Sequence, residues 1–198
     1  VAQLDAQTGA VQWVRSGGGA LYSDRSAGVA LAGNGDVLVT GEFKGTALFD
    51  ALSLTSMIDP LTLLPSFDVF VASYSTTGTL QWLQQGAAPH DDKGVAIAAD
   101  ATGAVYVTGQ YSADITFDQL HVNALQNSTF LIALDATGSE QWFRNCGGPS
   151  YTVVRDLVLS STGDLLLCGD MQGGMTYDDP VQVPIAPVDD YNAYRLRV

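Results

Sequence analysis

The sequence predicts an all-β chain of β-propeller blades, each a sheet of four antiparallel strands. Three observations predict it. First, one stretch recurs without a gap as Gly35 to Phe49 (GDVLVTGEFKGTALF), Gly103 to Phe117 (GAVYVTGQYSADITF) and Gly163 to Tyr177 (GDLLLCGDMQGGMTY). Each copy carries a second glycine (Gly41, Gly109, Gly169) and ends in an aromatic (Phe49, Phe117, Tyr177). Second, a strand, turn and tryptophan unit recurs as Val1 to Trp13, Phe70 to Trp82 and Phe130 to Trp142. Both units repeat about every 60–70 residues, a spacing that marks a repeat architecture. Third, each repeat reads as four short β-prone strands between glycine turns, with no helix-period stretch of useful length.

Taken in order, Val1 to Leu4 is a strand, Asp5 to Gly9 (DAQTG) a turn, and Ala10 to Val14 a strand carrying Trp13. Glycine after threonine recurs at this turn (Gly9, Gly78, Gly138), where a tight hairpin needs positive φ. Residues 16–26 are loop. Ala27 to Ala32 is a strand of small residues, suited to the crowded axis of a propeller, and Val37 to Thr40 (VLVT) is strongly β-prone. The second repeat follows suit with Phe70 to Tyr74, Thr79 to Leu83, Val95 to Ala99 and Ala104 to Thr108. The third has Leu131 to Leu134, Ser139 to Phe143, Val154 to Leu159, Asp164 to Cys168 and finally Tyr194 to Val198.

In blade terms, residues 1–14 supply strands three and four of one blade. Residues 27–85 and 95–144 are two full blades, and 153–198 a partial one. Trp13, Trp82 and Trp142 are expected as core, filling the gap between neighbouring sheets, with Phe49, Phe117 and Tyr177 as the second core mark of the repeat. Start and end both supply a third strand. The chain is therefore expected to be an excerpt of a larger ring, or to close by assembling with further copies, since an open piece exposes sheet edges and apolar faces.

Composition narrows the partners. The 198 residues carry 21 acidic against 8 basic groups, a formal net charge of -13. Such a surface repels nucleic acid and anionic lipid. No apolar run is long enough to span a bilayer. The chain begins at Val1 with no signal-peptide pattern, as a processed protein or an excerpt would.

The unit DVFVASYSTTGTLQW…GVAIAADATGAVYVTGQYSADITF resembles the bacterial SBBP-type beta-propeller repeat. The likeness covers essentially the whole chain and is most specific in the middle copy. The third copy departs most: VRDLVLSSTGDLLLCG lacks the small-residue pattern, and YRLRV stands where FVASY is expected. The resemblance implies a secreted or envelope-associated bacterial protein. It implies no shared enzymatic activity, and the propeller fold hosts unrelated functions.

Winding sorts tight turns to one end of the blades and long connections to the other, where recognition is expected. Asp91 and Asp92, beside His90, lead into an innermost strand, and Asp24 holds a similar place one repeat earlier. These three carboxylates are the candidate ligands for calcium, although their spacing matches no dense calcium motif. Asp178-Asp179 and Asp189-Asp190 read as an acidic surface loop. His90 and His121 lack a third nitrogen or thiolate for zinc.

Cys146 and Cys168 are expected at the same end of the blades, and in a secreted chain they suggest a disulfide; two free thiols are the alternative. Asn127 begins a glycosylation-type triplet. No catalytic motif appears. The expected function is a non-enzymatic structural or interaction module engaging a protein or a glycan. The alternatives are a calcium-assisted binding or hydrolytic site at the channel mouth and a self-assembling surface or filament subunit.

Overall fold

The computed structural model describes residues 1–122, 128–147, 152–171, 176–177 and 192–197. Every regular element among them is a β-strand, and every pairing is antiparallel. β1 (Ala2–Leu4) and β2 (Val11–Val14) form a hairpin. β3 (Gly17–Gly18) leads into β4 (Arg25–Leu31), β5 (Val37–Lys44), β6 (Thr46–Phe49), β7 (Leu52–Thr55), β8 (Phe67–Tyr74) and β9 (Leu80–Ala87). The order then repeats as β10 (Lys93–Ala99), β11 (Val105–Tyr111), β12 (Ile115–Phe117), β13 (Leu120–Val122), β14 (Ser128–Leu134) and β15 (Glu140–Gly147). β16 (Thr152–Leu159), β17 (Leu165–Met171), β18 (Thr176–Tyr177) and β19 (Asn192–Arg197) complete it.

Two four-strand meanders result, β4-β5-β8-β9 and β10-β11-β14-β15, and a third sheet contains β16-β17-β19. Their middle strands are buried on both faces, β14 along its whole length and β8 nearly so. Near-continuous apolar sequences such as FVASY and TFLIAL follow from that, because each sheet is covered on both sides. First strands stand side by side from sheet to sheet: a Cβ on Gly28 of β4 would lie 3.1 Å from the Ala96 and Ile97 backbone of β10. Each first strand also carries a register shift at the same place, between Ser26 and Gly28, Gly94 and Ala96, and Val154 and Asp156.

The tryptophans set the spacing between sheets. The Trp13 indole Nε1–H donates to Thr76 O (3.0 Å), and that of Trp82 donates to Ala136 O (3.0 Å). Each thus reaches the hairpin turn of the following sheet. The turn glycines, Gly78 (φ +79) and Gly138 (φ +85), are doubly constrained: a Cβ would lie 2.7 Å from the Trp13 or Trp82 ring. Only glycine meets both demands. Trp142 is half-buried beside Tyr106 (ring centroids 6.1 Å apart), with the Arg144 guanidinium 5.5 Å from its ring.

The terminal aromatic of the repeat works as a latch. After the second strand, the chain crosses back to an earlier one: β6 pairs with β3, which follows the β1-β2 hairpin, while β12 and β18 pair with β9 and β15, the outer strands of the preceding meanders. Phe49 lies opposite Gly17 and Phe117 opposite Gly86, and both phenyl rings are buried. Gly86 leaves the space that the Phe117 ring fills. Tyr177 pairs with Cys146 at the equivalent place. The latch covers part of an edge that would otherwise offer free backbone groups.

Several strands run longer than the sequence suggested. β8 begins at Phe67, β9 reaches Ala87 and β15 reaches Gly147. The segments read as long connections from Asp50 and from Asp118 begin with β7 and β13, which close short hairpins with β6 and β12 at the ends of the repeated stretch. In both cases tertiary pairing with the neighbouring sheet supplies what local propensity does not.

Candidate functional site

β4, β10 and β16 begin at one end of the sheets with Arg25, Lys93 and Thr152, and a cavity of about 360 Å³ lies there. Its lining includes these three residues with Glu42, Phe67, Asp91, Asp92, Gln110 and Tyr111. Arg25 Nη1 pairs with Glu42 Oε1 across β4 and β5 at 3.0 Å. Gln110 Nε2 donates to Thr152 O at 3.3 Å, bridging β11 to β16.

Asp92 is the most constrained group of this cavity. Its backbone N–H donates to Phe67 O (2.7 Å), and its Oδ1 accepts from Ser112 N–H (3.0 Å). Only 1% of the residue is exposed; the Ala88 backbone amide acts to lower the carboxyl, while Oδ2 has no donor in hydrogen-bond geometry. Burial, reinforced by the charges of Asp68 and Asp91, pushes its carboxyl up to about 9. The group is therefore neutral at pH 7 and able to donate a hydrogen bond. Thr152, 2% exposed, likewise has an unpartnered Oγ1.

Neighbouring carboxylates are occupied with backbone. Asp91 Oδ1 accepts from Phe67 N–H (2.9 Å). Asp68 is buried, and burial pushes it up to about 6 even though Gln85 Nε2, Met57 N–H and Ser66 Oγ donate to it at 2.7, 3.0 and 3.2 Å. Asp24 stands in a different cavity, with Tyr22, Leu48 and Asp50. Gly19 N–H and Lys44 N–H donate to its two oxygens at 2.7 and 3.1 Å. Lys44 and Ser112 occupy matching positions of the repeat, so Asp24 and Asp92 make the same clamp, tying an incoming loop to the end of a second strand.

The three expected calcium ligands therefore do not converge: Asp91 and Asp92 share a cavity, while Asp24 serves its own loop. Among the described residues no three His, Cys, Asp or Glu side chains are grouped to hold a metal. His90 Nδ1 lies 3.4 Å from Asp59 Oδ2, and His121 Nε2 lies 3.9 Å from Asp114 Oδ2. Asn127 and the paired aspartates at 178–179 and 189–190 fall outside the described residues.

The expected disulfide is corrected. Cys146 and Cys168 are not joined in a disulfide; the first is buried and the second exposed. Cys146 packs in one apolar cluster with Leu167 and Met171 of β17. Side chains alternate along a strand, so Cys168, next to Leu167, points to the opposite face of β17. Bringing both to one end of the sheets was not enough, because the two sulfurs face different ways. Cys168 replaces a buried threonine: Thr40 and Thr108 donate from Oγ1 to Phe70 O (2.9 Å) and Phe130 O (2.7 Å).

Asp91 and Asp92 are the cavity residues visible in sequence. Arg25, Glu42, Lys93, Gln110 and Thr152 are not, because they lie at strand ends with no motif of their own. One signal exists: Asp24, Asp92 and Thr152 share a repeat position, just where the copies differ. Neither a scan against protein-family models nor a search of curated proteins finds a match.

Proposed function

We propose that the chain is a segment of a β-propeller of the SBBP-repeat type. It acts as a non-catalytic binding module of a secreted or envelope bacterial protein, engaging a protein or a glycan. What supports the propeller reading is the recurrence of one four-strand meander, with first strands adjacent and each outer tryptophan seated on the next turn.

The binding reading is carried by one observation, the uneven division of loops. Among the described residues, one end of the sheets carries tight turns, such as those closed by Gly35, Gly103 and Gly163. The other end carries the cavity and an apolar tip. Asp59 holds that tip by accepting from Leu61 and Thr62 N–H (2.7 and 3.2 Å), which leaves Leu61 and Leu63 82% and 76% exposed. Ordered apolar surface of this kind is a feature of interaction sites.

The test is a screen against arrays of extracellular proteins and glycans, run beside chromogenic ester and glycoside substrates. Binding that a Leu61→Ser/Leu63→Ser variant or a cavity variant weakens, with no turnover, is the expected result. Turnover of a substrate overturns the non-catalytic reading.

Assembly with further copies has its own supporting observation. Val29 and Leu31 of β4 are 65% and 68% exposed, whereas Ile97, at the repeat position of Val29, is 6% exposed under the preceding sheet. Native mass spectrometry tests it: a monomer at all concentrations speaks against assembly.

A further inference from the structure

We infer that the cavity at the ends of β4, β10 and β16 is a sugar subsite that takes one neutral hexose unit through adjacent hydroxyls. This rests on the binding-module reading and names its ligand. Size comes first: about 360 Å³ lies in the range of about 300–1,000 Å³ typical of small-molecule sites.

Charge comes second. Arg25 and Lys93 balance Glu42 and Asp91 around the rim, and Asp92 is neutral at pH 7. A balanced rim gives little net attraction to an anion or a cation. It does offer donors and acceptors in alternation, as a polyhydroxyl compound requires.

The third observation is the pair of unused polar atoms. Asp92 Oδ2 and Thr152 Oγ1 both belong to buried side chains that line this cavity, and neither has a partner. Leaving buried polar groups unmatched costs about 1–3 kcal/mol each. A bound hydroxyl group would satisfy each of them. The two residues occupy one repeat position in successive sheets, Asp92 just before β10 and Thr152 at the start of β16, and both line this cavity. At the same position in the first sheet, Asp24 has both oxygens occupied by backbone N–H groups. Phe67, partly exposed, adds an aromatic wall against which the C–H face of a pyranose packs.

Saturation-transfer NMR on the full chain tests this, with glucose, galactose, mannose and N-acetylglucosamine as probes at millimolar concentration. The expected result is transfer from at least one hexose, reduced about tenfold in affinity by Thr152→Val, the loss of one well-placed hydrogen bond. Thr152→Val should also raise the Tm of the sugar-free chain, since it removes an unpartnered buried hydroxyl. Loss of binding in this variant therefore cannot be a folding defect. Lys93→Ala, at an exposed position, is a second variant expected to weaken binding without unfolding.

Absence of transfer from all four hexoses overturns the inference, as does transfer that Thr152→Val and Lys93→Ala leave unchanged. Binding of an oligosaccharide or protein that both variants retain overturns the cavity assignment alone and leaves the binding-module reading standing.

Discussion

Replacing Asp92 by asparagine should stabilise the chain at neutral pH and remove a slope from its pH dependence. In the unfolded chain this carboxyl ionises near 3.8; in the folded chain it stays protonated up to about 9. Between those values the native state holds a proton that the unfolded state has released. Stability from this group is therefore greatest below the unfolded value, falls as pH rises through the window, and levels off above 9. The slope is about 1.4 kcal/mol per pH unit, so the accumulated cost at pH 7 reaches about 4 kcal/mol. Asp68 and Asp91, the charged groups that act on it, both raise the carboxyl further. Asparagine keeps the oxygen that accepts from Ser112 N–H and places an uncharged NH2 at Oδ2. Urea melts of both proteins at pH 5, 7 and 9 measure the difference. The variant should lead by about 2 kcal/mol at pH 5 and about 4 kcal/mol at pH 7. A gap that does not change with pH, or a variant less stable at pH 7, would refute the reasoning.

Three more outcomes are expected. Trp82→Ala should cost about 3 kcal/mol, and Gly138→Ala more than about 1 kcal/mol through its positive φ. Because the ring sits on that glycine, the double variant should lose less than the two singles combined, as a double-mutant cycle in urea would show. Thr108→Val should lose about 1 kcal/mol by depriving the Phe130 carbonyl of its Oγ1–H donor, whereas Cys168→Val, at the equivalent exposed place, should be nearly neutral in the same melts. A thiol reagent should modify one cysteine in the native chain and both in denaturant, with peptide mapping placing the first at Cys168; two unreactive native thiols would contradict the exposure found there.

The sequence announces the scaffold because the scaffold repeats. Gly78 and Gly138 recur since a tryptophan from the preceding sheet sits on each, and Thr40 and Thr108 recur since each satisfies a carbonyl on the next strand. Such residues answer to the same neighbours in every copy, so alignment of the chain with itself finds them. Strand ends were less legible. Phe67 and Asp68 lie outside the strand read as Phe70 to Tyr74, yet they extend β8 under the hydrogen bonds of Asp91 and Gln85. The disulfide failed on a point that spacing does not encode, namely which face of β17 carries Cys168.

Binding chemistry was least legible, for a reason built into the repeat. A residue that makes the same clamp in every copy cannot also recognise something different in each. Asp24 shows the position at rest, with both oxygens tied to the backbone. Asp92 keeps one of those ties and has the other oxygen unmatched, and Thr152 leaves its hydroxyl unmatched. The departure is one functional group per copy, too small to read as a motif. Three first strands bring those single departures to a common end, where Asp92 and Thr152 border one cavity and Asp24 its own. Self-comparison thus locates the scaffold by what stays constant. The site lies among the few positions where a buried polar atom has lost the partner that its sister copy retains.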